Sequence, residues 1–126
     1  MKRLFILLLT LMLLTGCTAR PSAGTYRQIT AQEAAELMES ETGYIVLDVR
    51  TPAEYAERHI PGAINVPNET IGSTAPEQLP DRKQLILVYC RSGNRSKQAS
   101  QKLAEQGYTN VVEFGGINGW TGEIVQ

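Results

Sequence analysis

The residues best suited to chemistry form a short polar loop that begins with a cysteine. The loop reads Cys90-Arg91-Ser92-Gly93-Asn94-Arg95-Ser96, and Lys97 follows it. Backbone N–H groups in such a loop, the positive end of a following helix and nearby cationic side chains all favour a thiolate over a thiol. Gly93 and Asn94 tolerate the unusual backbone angles of a tight turn. We therefore predict that Cys90 is a reactive thiol whose pKa lies below that of a free cysteine.

The elements on either side of this loop place it at the edge of a sheet. Leu85–Tyr89 is apolar and rich in β-branched residues, which predicts a buried strand. Ser96–Gln106 has helical spacing of its apolar residues, and Gly107 fits the position just beyond a helix end. Ligands of α/β sheets bind beyond the carboxyl ends of the strands, so this loop is the predicted site.

The remaining pattern alternates strands and helices. Apolar runs at Tyr44–Leu47, Ala63–Val66 and Val111–Phe114 predict further strands. Thr30 and Thr51 each precede a glutamate by three residues, the capping-box signature of a helix start. A weaker helix is expected near Pro76–Leu79. The alternation predicts an α/β fold with a mostly parallel sheet and helices on both of its faces.

The first residues have the character of a targeting segment. Lys2 and Arg3 precede an apolar run, Leu4–Leu14, that is too short for a membrane span of roughly 20 residues. The run ends in Leu14-Thr15-Gly16-Cys17, which resembles the lipobox of bacterial lipoproteins. That resemblance implies a lipoprotein signal peptide over 1–16 and a lipidated Cys17. The alternative is an ordinary signal peptide or short anchor with an incidental cysteine.

Length and charge limit the remaining possibilities. The chain has 126 residues, enough for one domain, and its formal net charge of −1 argues against nucleic acid as a partner. We expect a lipidated N-terminus and flexible tether over 17–25 and a folded domain over 26–126. The protein would then be exported and anchored by lipid on the extracytoplasmic side. With Cys17 lipidated, Cys90 would have no disulfide partner, and a free thiol in an oxidising compartment is either buried or functional.

The loop and four other stretches resemble the rhodanese family of single-domain sulfurtransferases. The first two are Leu47-Asp48-Val49-Arg50, with Glu54-Tyr55 after it, and His59-Ile60-Pro61-Gly62-Ala63-Ile64-Asn65. The other two are Gly107-Tyr108 with Asn110-Val111, and Gly115-Gly116 with Trp120. The motifs occur in the family's order and cover about Tyr26–Trp120. The resemblance implies a five-stranded, mostly parallel sheet with helices on both faces.

The resemblance also implies a reaction. A donor such as thiosulfate would transfer a sulfane sulfur to Cys90, and a thiol or cyanide would take it from the resulting persulfide. The amides of 91–96 would stabilise the persulfide, and Arg91 and Arg95 would attract the small anionic donor. No metal or organic cofactor is implied. Asp48, Arg50 and His59 are expected to have structural roles near the site, although His59 is a conceivable general base.

Three other functions remain open at this point. An exported thiol or persulfide carrier would act with a protein partner, and a non-catalytic binding module would not need the thiol. A Cys-based phosphatase is disfavoured because four residues separate Cys90 from Arg95, whereas such phosphatases place five there to wrap a phosphate. The physiological donor and acceptor and any protein partner are not indicated by the sequence.

Overall fold

A computed structural model describes residues 24–126, which form a five-stranded parallel sheet in the order β1-β5-β4-β2-β3. Three α-helices connect and cover the strands. The strands are β1 (Arg27–Gln28), β2 (Ile45–Asp48), β3 (Ile64–Asn65), β4 (Ile86–Cys90) and β5 (Val111–Gly116). The helices are α1 (Ala31–Ser40), α2 (Pro52–Glu57) and α3 (Asn94–Glu105), with 3₁₀ turns at Asn68–Thr70 and Ile117–Gly119. The predicted α/β fold, with its parallel sheet and helices on both faces, is confirmed.

The first two helices begin where the capping-box signature predicts. Thr30 accepts a hydrogen bond from the backbone of Glu33, whose side chain accepts the Thr30 backbone N–H in return. Thr51 and Glu54 repeat this reciprocal arrangement at the start of α2, where Pro52 occupies the first helical position. Proline is favourable there because its missing N–H would have no partner inside the helix.

The central strand β4 is buried along its whole length and divides two hydrophobic layers. Because side chains alternate across a strand, Ile86, Val88 and Cys90 face the layer that contains α3. Leu87 and Tyr89 face the opposite layer, which α1 and α2 cover. The orientation of Cys90 toward α3 therefore follows from the strand period.

Helix α3 ends in the manner expected from Gly107. That glycine has φ +95°, and its amide donates to Ala104 while the amide of Tyr108 donates to Leu103. These two bonds form a Schellman motif, which satisfies carbonyls at the helix end. The helix begins at Asn94, two residues before the predicted start, so the second half of the polar loop is the first turn of α3.

Two elements differ from the sequence-based expectations. The helix expected near Pro76–Leu79 is absent, and the segment forms a turn in which the Leu79 amide donates to the Pro76 carbonyl. Pro80 explains this, because a proline disfavours helical backbone at the residue before it. Strand β1 was not predicted by the pattern, since its two polar, exposed residues show no alternation.

The predicted signal peptide, Cys17 and most of the predicted tether lie outside the described residues. Between Gly24 and Gln126, no helix combines the length and apolar character needed to cross a bilayer.

Candidate active site

The sulfur of Cys90 lies at the C-terminal end of β4, next to the start of α3. Only 1% of the residue is exposed, and the Gly93 amide donates to Sγ at 3.0 Å. The amides of Ser92 and Ser96 also lower the pKa of the Cys90 thiol. Gly93 occupies the N-cap position of α3 with φ +112° and has no side chain that could cap the helix. The Cys90 sulfur accepts the amide of this N-cap residue, next to the N-terminal amides of α3 that have no partner inside the helix.

These contacts make the site favourable for a thiolate. Burial of the sulfur raises the pKa of the Cys90 thiol, but hydrogen bonds with the Ser96 side chain and with the amides of Ser96, Gly93 and Ser92 outweigh it. The pKa of Cys90 is therefore lowered from its ordinary value. A lowered pKa together with a local set of N–H donors is the usual environment of a nucleophilic cysteine.

A buried polar cluster lies on the inner side of the sulfur. The Ser96 hydroxyl lies 3.4 Å from Sγ and donates to Glu113 Oε1 at 2.7 Å. The same Oε1 accepts the Gly115 amide at 2.7 Å. Ser96 is fully buried and Glu113 is 2% exposed. Sequence reasoning included Ser96 as a loop residue but missed Glu113, although a charged residue within the apolar run Val111–Phe114 was a visible signal.

A bulge in β5 brings the chain close to the loop. Val88 pairs with Glu113, whereas Cys90 pairs with Gly116, so β5 contains an extra residue at this point. Gly115 takes up the irregularity with φ +88°. A side chain at Gly116 would overlap the backbone carbonyl of Arg91 and the Ser92 amide. The double glycine therefore lets the backbone of β5 pack closely against the backbone of the loop.

The two loop arginines have different surroundings. Arg95 forms a bidentate ion pair with Glu54, with distances of 2.6 and 3.1 Å, which offsets its charge. Arg91 is exposed and, within the described part of the chain, forms no ion pair. It borders a cavity of about 280 Å³ together with Arg58 and Ile117. The other lining residues are Arg50, Glu54 and Glu57.

Asp48 and Arg50 form a buried ion pair that supports the strand ends. Arg50 donates to Asp48 at 2.7 Å and also to the carbonyl of Arg58. The Tyr89 hydroxyl donates to the same Asp48 carboxylate at 2.7 Å and accepts the Ile60 amide. Burial is the largest cause that raises the pKa of Tyr89 well above its ordinary value, and the hydrogen bond to Asp48 adds to it. This network fixes the residue that precedes Cys90.

His59 contacts other parts of the chain. Its ring stacks on Tyr55 with centroids 3.9 Å apart, and Nδ1 lies 2.8 Å from the Tyr55 carbonyl. Its backbone pairs with Val125 in an isolated antiparallel bridge. These contacts are structural: they attach the C-terminal segment to the chain after α2.

The remaining loop residues are polar and lie at the surface. Ser92 and Asn94 are exposed, and Asn94 is the first residue of α3. Over residues 24–126, no three histidine, cysteine, aspartate or glutamate side chains are grouped so that they could hold a metal ion.

Comparison with known proteins identifies the family to which most of the described chain is similar. Residues 30–123 match the rhodanese-like domain family. The chain is 39% identical over 71 residues to the thiosulfate sulfurtransferase PspE of Escherichia coli, covering 56% of this chain and 68% of that protein. It is 35% identical over 97 residues to the thiosulfate sulfurtransferase GlpE of Haemophilus influenzae, covering 76% and 89%.

A solved structure agrees with these sequence matches. A structure described as rhodanese with anions from E. coli superposes with a TM-score of 0.61 at 35% identity, covering 66% of this chain and 98% of that one. The parallel sheet, the cysteine at the end of its central strand and the match over 30–123 lead to one conclusion: the chain belongs to the rhodanese-like domain family.

Proposed function

We propose that the protein is a sulfurtransferase that takes a sulfane sulfur from a thiosulfate-type donor and passes it to a thiophilic acceptor through a persulfide on Cys90. The observation that carries this proposal is the group of N–H donors around a cysteine with a lowered pKa. The relatives named thiosulfate sulfurtransferase support the same class of reaction.

In the first half-reaction, the Cys90 thiolate attacks the outer sulfur of thiosulfate. A new S–S bond forms to Cys90, and the old S–S bond breaks with its electron pair leaving on sulfite. The persulfide then carries its negative charge on the outer sulfur, near the loop amides. In the second half-reaction, cyanide or a thiolate attacks that outer sulfur, and Cys90 leaves as a thiolate.

Arg91 is the residue best placed to attract the donor. Arg95 is already paired with Glu54, whereas Arg91 and Arg58 border the cavity next to the loop. A doubly charged anion entering this cavity meets their guanidinium groups. Long-range attraction of this kind raises the rate of association and weakens with salt.

The test is sulfur loading of the purified protein. After incubation with thiosulfate and removal of small molecules, intact mass should rise by one sulfur atom, and cyanide should restore the original mass while thiocyanate appears. Cys90→Ser is the control and should show neither change. A protein that stays unloaded at every donor concentration would contradict the proposal.

Three further measurements separate the other functions. A thiol carrier would load poorly from thiosulfate but would form trapped mixed disulfides at Cys90 with a protein partner. A binding module would retain its partner after Cys90 is alkylated. A phosphatase would release phosphate from an aryl phosphate.

We further propose that Cys17 carries lipid and holds the domain at the outer side of a membrane. The support is the sequence Leu14-Thr15-Gly16-Cys17 after a short apolar run. Metabolic labelling with a fatty acid should mark the protein, and Cys17→Ala should remove the label. A labelled Cys17→Ala variant would contradict this proposal.

A further inference from the structure

We propose that Glu113 is a positioning residue that receives, through the Ser96 hydroxyl, the proton that leaves the Cys90 thiol. The purpose of this transfer, preparation of a nucleophile, rests on the proposed function. The contacts that suggest the transfer do not depend on it.

The position of Glu113 is unusual for a glutamate. Its neighbours Val112 and Phe114 belong to the hydrophobic layer of α1 and α2, so Glu113 faces the α3 side together with Val111. It is 2% exposed, and no lysine or arginine of the described residues forms an ion pair with it. A buried carboxylate without a cationic partner is costly unless hydrogen bonds compensate it. Here the compensating donors are the Ser96 hydroxyl and the Gly115 amide.

The number of protons in this cluster couples the charge of Cys90 to the charge of Glu113. The Ser96 hydroxyl has one proton, and its oxygen lies 2.7 Å from Glu113 Oε1 and 3.4 Å from Cys90 Sγ. The same oxygen lies 2.9 Å from the Gly93 carbonyl and 3.3 Å from the Gly115 carbonyl, which can accept a hydrogen bond but cannot supply a proton. Two oxygens at 2.7 Å need a proton between them. If Ser96 donates to a thiolate, the proton between the oxygens must belong to Glu113. If Ser96 donates to a carboxylate, Cys90 must be a thiol for its contact with Ser96 to be favourable.

The transfer therefore has a defined path. The S–H bond of Cys90 breaks and its proton joins Ser96 Oγ, while the original Ser96 proton moves to Glu113 Oε1. Negative charge passes from the carboxylate to the sulfur, where three amides and the start of α3 stabilise it. The sulfur gains its charge without releasing a proton to solvent.

The surroundings of Glu113 contain few other titratable groups. Strand β4 contributes Cys90 and α3 contributes Lys97, whose Nζ and the Glu113 Oε1 both lie within 4 Å of the position that a Cβ on Gly93 would occupy. Strand β1 contributes Gln28, the cross-strand neighbour of Glu113, which carries no charge. Helix α1 packs on the opposite face of the sheet.

The test is spectroscopic and needs no sulfur donor. At neutral pH, Cys90 is blocked with iodoacetamide while the ultraviolet absorbance of the thiolate and the infrared band of a protonated carboxyl group are recorded. In the wild type we expect both signals to disappear together, with release of one proton per molecule. In Glu113→Gln no carboxyl band should be lost, whereas the exposed control Glu77→Gln should behave as the wild type.

Ser96→Ala provides an independent check, because it removes the hydroxyl group whose two hydrogen bonds stabilise the thiolate and the protonated carboxyl group together, and it leaves Cys90 and Glu113 in place. In that variant, blocking Cys90 should no longer change the carboxyl band. The proposal is overturned if the wild type loses thiolate absorbance with no change in the carboxyl band, or if Glu113→Gln or Ser96→Ala shows the wild-type change. Since a failed sulfur-loading experiment leaves these spectra unaffected, the two proposals can fail separately.

Discussion

The Arg95 guanidinium holds the Glu54 carboxylate with two hydrogen bonds, at 2.6 and 3.1 Å. Arg95 lies in the first turn of α3, close to the Cys90 sulfur, and Glu54 lies in the first turn of α2. Glu54 also accepts the backbone N–H of Thr51 in the capping box. One carboxylate therefore caps one helix and fixes the start of another.

We expect Glu54→Gln to lower the free energy of unfolding by about 1–2 kcal/mol, because it removes a half-buried, bidentate ion pair. Glutamine can still complete the capping box, so the loss reports on the ion pair. Glu33→Gln is the matched control, since Glu33 has the same capping role in α1 and forms no ion pair with any residue of 24–126. Denaturant unfolding of both variants measures the difference, and equal losses would contradict the prediction.

The same pair predicts a pH dependence of stability. The hydrogen bond from Arg95 is the main cause that lowers the pKa of Glu54 from 4.5 to about 2, while partial burial opposes it. A carboxyl whose pKa is lower in the folded state adds stability above its unfolded pKa and loses that contribution as the pH falls. The difference in stability between wild type and Glu54→Gln should be full above about pH 4.5 and vanish toward pH 2. A difference independent of pH would exclude this origin.

Gly93→Ala should raise the pKa of Cys90. Gly93 has φ +112°, a conformation that alanine adopts with strain of about 1–2 kcal/mol, and relief of that strain moves the amide away from Sγ. The pH midpoint of Cys90 alkylation measures the effect. Gly62→Ala is the control, because Gly62 also has positive φ but lies in open space outside the loop. It should cost similar stability and leave the midpoint unchanged.

Gly116→Ala should displace the loop that follows Cys90. Its new methyl group would overlap the Arg91 carbonyl and the Ser92 amide, and overpacking of this kind costs about 1–3 kcal/mol. We expect sulfur transfer to fall by about tenfold or more, which corresponds to a loss of about 1.4 kcal/mol in transition-state stabilisation. Gly119→Ala meets nothing within 4 Å and should retain activity in the same assay.

Arg91→Ala should weaken the attraction of the anionic donor. We expect kcat/KM for thiosulfate to fall by about three- to tenfold at low salt, with a smaller loss at high salt, where the charge is screened. Arg27→Ala is the control, since Arg27 is exposed on β1 and borders a different cavity. A loss that is the same at every ionic strength would argue against an electrostatic role.

Local signals were sufficient to predict most of the fold. The capping boxes at Thr30 and Thr51, the buried run before Cys90 and the glycine after α3 each have a cause within a few residues. Strand β1 had no such signal, because its pairing with β5 depends on a partner far along the chain. The turn at Pro76–Leu79 also has a local cause, because Pro80 disfavours helical backbone at Leu79.

The difference between local signals and contacts of distant residues also applies to the site. The loop amides around Cys90 follow from a strand, a glycine and a helix start that are adjacent in sequence. The contacts of Glu54 with Arg95 and of Glu113 with Ser96 join residues that are distant in the chain. Neither pairing could be predicted, since the sequence alone did not reveal which side chains the sheet order brings together.

The position of the Cys90 sulfur at the beginning of α3 makes the folded state sensitive to the sulfur's chemical form. In the unfolded chain the sulfur loses its three amide partners, so ionisation of Cys90 stabilises the native protein. A modification that removes the charge of the sulfur, such as alkylation, also removes this contribution to the stability of the folded state. The melting temperature of the protein therefore reports on the chemical state of Cys90.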